Sequence, residues 1–212
     1  MADADKVSLA NVALVLMGAK TITSFSQDCP EARAVSSVYD TVRDEVLEAE
    51  VWSFAGKRAS LVAIVDPPTF TDDRLTTIFT KPADFLSMRE YYPTFAAVSI
   101  ESNGIYSDQS SGLKIKYTYR NDDPTTYPAA FRMAMAYRLA AALCFVISNA
   151  ASKANDLLAA YEKIYLPRAQ AQDAKQGTPK EAAQDDALWA RQVGASSFPP
   201  QASGTQTVHP YW

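Results

Sequence analysis

Side chains able to do chemistry are sparse in this 212-residue chain. The one histidine, His209, stands near the end of the sequence. A Ser-His-Asp or Cys-His relay and a zinc site built on histidine therefore have no starting material. Cys29 and Cys144 are the two cysteines, one at a predicted helix start and the other in an apolar helical run. Both read as unpaired thiols of a reducing compartment, with a disulfide as the lesser alternative. There is no GxxxxGK[ST] loop and no GxGxxG after a strand, and the seven glycines fall mostly as punctuation, so nucleotide binding is not expected. What remains is carboxylates. Asp72-Asp73 and Asp122-Asp123 are pairs that, converging on one cleft at roughly 5 to 10 Å, would do acid–base work on a glycosidic bond or hold a divalent cation. Each pair precedes a strand or helix pattern in a turn-like context, which favours a structural reading. No metal and no cofactor is expected.

The elements that would have to position such groups centre on Tyr39 to Leu61. Val35, Val38, Tyr39, Val42, Val46 and Ala49 recur at three- and four-residue spacing, one apolar stripe on a helix begun by Cys29-Pro30-Glu31. Arg43 and Asp44 lie off that stripe. They read as local ion pairs on a helix face or, more sharply, as an intersubunit contact. Trp52 and Phe54 arrive where the helical period fails, as the plug of a hinge between the helix and the β-branched run 59–64.

Before that helix, a first one starts at Ser8 or as early as Asp3, with Val7, Ala10, Leu14 and Met17 inward and Gly18 as its stop. The two helices are expected to form an antiparallel pair. From Gly56 to Arg120 short alternating runs predict strands over 57–64, 75–79, 85–92, 95–101, 105–106 and 113–119. Asn103-Gly104 is the strongest hairpin signal, because both residues tolerate positive φ. Leu113, Ile115, Tyr117 and Tyr119 share one face of the last strand and Lys114, Lys116 and Thr118 the other.

Tyr127-Pro128 opens an alanine-rich third helix carrying Phe131, Met135, Leu139, Leu143 and Val146, and a fourth runs from about Ser152 until Pro167 kinks or ends it. Arg168 to Gln176 resumes as a polar helix. After Gly177 the composition is that of an extended arm, tipped with His209, Tyr211 and Trp212, whose aromatics suggest docking. The fold class is thus α+β: an antiparallel helical bundle (1–55 and 124–176) with an inserted antiparallel β domain (56–123) and an extended C-terminal arm (177–212).

The net charge is −4 and the pI about 5.0, which argues against a nonspecific nucleic-acid binder. The acidic opening Met1-Ala2-Asp3-Ala4-Asp5 does not read as a signal peptide. The longest apolar run, Leu139 to Ile147, is too short to span a bilayer, and no membrane partner is expected.

Together these segments resemble the podovirus head-to-tail adaptor family, also called tail tubular protein A, whose members join the portal vertex of a phage capsid to the tail. The likeness covers most of residues 8 to 175. Asn11-Val12-Ala13-Leu14 with Gly18 and Ile22 is similar to the family's opening helix, and Glu31-Ala32, Tyr39 and Arg43-Asp44 to its second. Trp52-Ser53-Phe54-Ala55, followed by Arg58 and Leu61, is the most specific match. Phe79 to Phe85 is similar to a strand followed by Leu-Pro-x-Asp, with Lys81 where leucine is usual. Leu113 to Tyr119, Tyr127-Pro128, Phe131 and Leu139-Ala140 are similar to the final strand and third helix.

The resemblance implies a non-enzymatic structural protein without cofactors, forming a homo-oligomeric ring of twelve subunits. Its partners would be the portal protein on one side and the distal tail (nozzle) protein, with tail fibres, on the other. DNA would pass through without being gripped. The implied location is the virion neck and tail, after assembly in the host cytoplasm. Interface candidates are Arg43, Asp44, Arg168, His209, Tyr211 and Trp212, with Trp52 and Phe54 as the structural hinge. Two readings of other classes compete: a tail-associated glycan hydrolase using a carboxylate pair, and a small helical interaction module of the host cell, which would stay monomeric.

Overall fold

Small residues decide where the helices go. The computed structural model describes residues 2–65, 74–148 and 150–176, and at the centre of its helical part lies α3 (Ala129–Ile147), in which Phe131, Met135, Leu139 and Leu143 are interleaved with fully buried alanines such as Ala134, Ala136 and Ala140. Alanine loses no rotamer freedom in a helix and lets a neighbouring backbone approach closely. Accordingly α1 (Ala2–Met17), α2 (Pro30–Glu48), α4 (Ala151–Ala160) and α5 (Leu166–Ala174) all pack against α3.

The anticipated pairing of α1 with α2 is not made to any extent, because each is seated on α3 instead. And α3 as a whole is long and apolar enough, by length and composition, to cross a bilayer, with a mean hydropathy of 1.6. The run 139–147 understates it because Phe131, Met133 and Met135 extend the apolar stretch towards the N-terminus. Its packing is nevertheless that of a core helix, since other helices cover it.

The helix ends follow from local chemistry. At Gly18 the backbone turns left-handed (φ +78°), while Ala19 N–H reaches Leu14 O at 2.8 Å and Gly18 N–H reaches Val15 O at 3.0 Å. That pair of bonds satisfies the last carbonyls of α1. At the start of α2, Cys29 Sγ accepts from Ala32 N–H at 3.4 Å and Pro30 fills the first turn. Pro167 does not end the fourth helix. Residues Tyr161–Tyr165 form a π-helical turn closed by Leu166 N–H to Tyr161 O. This widened turn lets Pro167 fall in the opening turn of α5, where its missing N–H has little cost.

The strands form two antiparallel three-stranded sheets, ordered β1-β6-β3 and β2-β5-β4. They are β1 (Gly56–Ser60), β2 (Thr77–Phe79), β3 (Phe85–Tyr92), β4 (Val98–Glu101), β5 (Gly104–Ser107) and β6 (Lys114–Tyr119). The first predicted strand is divided between them: β1 ends at Ser60, and the chain then bonds to the other sheet through Ile64 N–H to Ile78 O and Thr80 N–H to Val62 O. Leu61, Phe79, Ile105, Leu113, Ile115 and Tyr117 form a core common to both sheets.

Gly104 is needed for a different reason from the one its sequence suggests. It is not at positive φ. It is a strand residue paired with Glu101, and a Cβ there would lie 2.7 Å from Ile78 Cγ2 and 2.9 Å from Phe79 O.

The helices and sheets join at Trp52. Its indole is buried, donates from Nε1 to Val46 O at 2.8 Å, and meets Phe131 edge-on at 5.0 Å. Phe54, on the one-turn 3₁₀ helix Ser53–Ala55, packs on Phe131 and Tyr127. From the sheet side Arg89 donates to Trp52 O at 2.7 Å and to Thr118 Oγ1 at 2.9 Å. Its guanidinium lies over Gly56, where a Cβ would come within 2.8 Å of Nη1. Trp52→Ala is expected to cost about 3–5 kcal/mol, the range for deleting a large core aromatic. Thermal unfolding followed by circular dichroism checks this, and an unchanged melting temperature would remove Trp52 from the core.

Candidate functional site

Arg43 sits one turn after Asp40 and next to Asp44 on α2, and the loop leaving β6 brings Asp122 to the same place. The side chain is buried, at 4 % exposure. It donates from Nη1 to Asp40 at 2.8 Å, from Nε to Asp44 at 2.9 Å, and to Asp122. Lys6 of α1 holds the second oxygen of Asp122 at 3.0 Å, and Arg120 donates to the second oxygen of Asp44 at 2.9 Å. Burial alone would lower the proton affinity of Arg43. The hydrogen bond and charge of Asp44, with Asp122 and Asp40, outweigh that and leave it raised. Three carboxylates around one cation are what an unsolvated guanidinium requires.

This geometry relocates the interface candidates. Arg43 lies inside the subunit rather than on a face open to a neighbour, and both carboxylate oxygens of Asp44 are engaged by Arg43 and Arg120. Arg168 is exposed on α5. His209, Tyr211, Trp212, Asp72 and Asp73 lie outside the described residues.

The other carboxylate pair is divided between two structural roles. Partial burial of Asp122 opposes its ionisation, but the hydrogen bond from Lys6 and the charges of Arg43 and Lys6 hold its carboxyl below the ordinary 3.8. Asp123 caps the turn Pro124–Thr126, accepting from Thr125 N–H at 3.0 Å and Thr125 Oγ1 at 2.7 Å. Those bonds lower it too. Neither group has the raised proton affinity of a general acid. Among the described residues, no three His, Cys, Asp or Glu side chains gather as a metal site.

Asp84, the aspartate of the Lys81-Pro82-Ala83-Asp84 segment, accepts from Tyr117 OH at 2.9 Å and from Lys57. Burial and that hydrogen bond push Tyr117 up to about 12. The motif aspartate thus ties the entry of β3 to both of the other strands in its sheet.

Three features were not legible in the sequence. Arg89 joins the β sheet to the Trp52 turn. Asp173, near the end of α5, accepts from Ser53 N–H at 2.8 Å and Ser53 Oγ at 2.6 Å, bonds across 120 residues that no local pattern announces. The third feature is a basic face: the register sets Arg58 opposite Lys116 and Ser60 opposite Lys114, with Tyr92 beside Lys114 on β3. These residues, with Ala59 and Ile115, line a cleft of about 390 Å³. The alternation of Lys114 and Lys116 was visible, but only strand pairing reveals that Arg58 joins them.

No protein-family model matches the chain, and neither does any curated protein.

The charge cluster has a pH consequence. A carboxylate whose folded-state affinity is depressed lends stability above its unfolded value, and this is lost as pH falls through the folded one. Asp122 and Asp84 are both depressed. Stability is therefore expected to hold above about pH 5 and to decline progressively on acidification below it. Asp122→Asn should cost ~1–2 kcal/mol at neutral pH, less than a fully buried pair because the carboxylate is half-exposed, and should flatten that acid slope. Urea unfolding of both proteins from pH 3 to 7 checks it, and parallel curves would exclude Asp122.

Proposed function

We propose that this protein is a structural head-to-tail adaptor of a short-tailed bacteriophage, a ring that joins the portal to the distal tail protein and lets DNA pass. The observation that carries this reading is the Trp52-Ser53-Phe54-Ala55 corner. This stretch most closely resembles the adaptor family, and here it is the packed joint between helices and sheets. An adaptor built as a helical layer and a β layer needs such a joint. In this reading the helices form an antiparallel bundle, residues 56–123 are an inserted β domain, and 177–212 are an extended arm reaching the portal. Among the described residues, the commitment of Asp122 and Asp123 to structural bonds leaves that pair without a favouring observation for the hydrolase reading.

Unpartnered apolar side chains support an assembling protein. Val12 and Val15 on α1 are 39 % and 62 % exposed, and Phe145 and Val146 at the end of α3 are 53 % and 60 % exposed. Val12 and Val15 adjoin on one surface of α1, and it is adjoining exposed apolar groups, rather than scattered ones, that mark a contact surface.

Electron micrographs of the full chain, alone and mixed with portal, are expected to show rings with twelve-fold symmetry, at least on the portal. A chain that stays monomeric with and without portal would favour the host interaction module and end the adaptor reading. Deleting 203–212 is expected to leave the circular dichroism spectrum unchanged and to weaken portal binding; equally tight binding would take the arm out of docking.

A further inference from the structure

Two clusters of opposite charge stand on the surface of the described subunit. On the face of β1-β6-β3, Arg58 and Lys114 carry no ion pair among the described residues, and Lys116 has only Glu90, at 3.4 Å. Glu90 is also shared with Tyr92 OH. The cleft between them has Ala59 and Ile115 among its lining and cations around it, a shape suited to a carboxylate on a short methylene stem. The opposite place is the end of α2. Its last turn holds Glu45 and Glu48 and no basic residue, and Glu50 follows. Acidic side chains at the negative end of a helix dipole weaken the helix. Glu45 is relieved by Arg138 and Glu50 by Gln170. Glu48 is exposed and has no ion pair among the described residues.

The geometry points to a contact between copies of this chain, in which the acidic end of α2, Glu48 and Glu50, enters the basic cleft of Arg58, Lys114 and Lys116 on the next copy. The inference rests on the ring reading and names the surfaces that make it. Two different patches that recognise each other form a heterologous interface, which closes into a ring where the rotation from copy to copy closes. Opposed charges set partner choice and register, which explains why a carboxylate is kept where it costs helix stability.

The test uses two full-length variants, Arg58→Glu with Lys114→Glu and Glu48→Lys with Glu50→Lys, checked as folded by circular dichroism. Glu48→Lys removes the dipole penalty, so the second variant should melt no lower than the parent. Each variant alone is expected to need about tenfold more protein to assemble in sedimentation velocity, the scale set by one or two close charge pairs. An equimolar mixture should assemble like the parent, because acidic clefts then meet basic helix ends around an even-numbered ring. Parental rings that form while both variants also assemble normally would overturn this contact and leave the adaptor reading standing. Variants that fail both alone and mixed would overturn it too, since the charges would not be meeting each other. If both variants assemble normally, while Arg58→Glu with Lys114→Glu loses the retention on immobilised heparin that the parent and the Glu48→Lys, Glu50→Lys variant show, the cleft takes a free polyanion and the contact is refuted. A parent that never forms rings, even with portal, fails the adaptor reading itself.

Discussion

A buried guanidinium constrains this structure more than any other single group. Taking Arg43 out of water without partners would cost on the order of several kcal/mol. The chain meets that cost with carboxylates from two places far apart in sequence, Asp40 and Asp44 on the same helix and Asp122 beyond the last strand. Lys6 and Arg120 then neutralise the outer oxygens. Once Arg43 is inside, α1, α2 and the exit from the β region cannot be placed independently. The buried pair is thus better read as a device that fixes register than as a source of net stability.

The entry to the β region is held at a second point. Trp52 anchors the chain in the helical core, and Arg89 grips its carbonyl from β3 while crossing the bare backbone of Gly56. With Asp173 closing on Ser53 from α5, the turn is tied from three directions. Entry and exit are therefore both pinned, by a packed aromatic at one and an ion cluster at the other. Trp52 and Phe54 are thus packed on the helical core, with Arg89 bonded to the Trp52 carbonyl from the sheet side. In the proposed adaptor, these bonds would tie the helical and β layers of each subunit together.

Sequence pattern disclosed what depends on near neighbours. The stop at Gly18, the start at Cys29-Pro30 and four of the six strands within a residue or two were legible, because capping, turn chemistry and alternation are local. The errors share one cause. Gly104 was legible as a turn glycine, yet its need is set by Ile78 on another strand. Pro167 was legible as a kink or a stop, yet the π-turn that accommodates it was not. Arg43 looked like a surface residue because Asp122 lies 79 positions away. The single run 57–64 gave no sign that it would serve two sheets, since a change of sheet leaves the apolar pattern intact. The basic cleft required the pairing register, which alternation alone does not contain.

What the isolated subunit leaves unexplained is as informative as what it resolves. Leu9, Ala10, Ala13 and Leu14 face the core from α1, while Val12 and Val15 face outward. A helix that is apolar on both sides is ordinarily covered on both. The acidic end of α2 breaks a second local rule, and natural sequences keep such violations where function compensates for them. In the proposed ring the two would have different tasks. Complementary charge selects the partner and speeds encounter, and its effect fades with salt. Apolar area chiefly slows dissociation. Charges alone would give a ring that falls apart at moderate ionic strength, and exposed valines alone would give contacts without a register. In the proposed ring, a subunit carrying both would assemble in one arrangement and remain there.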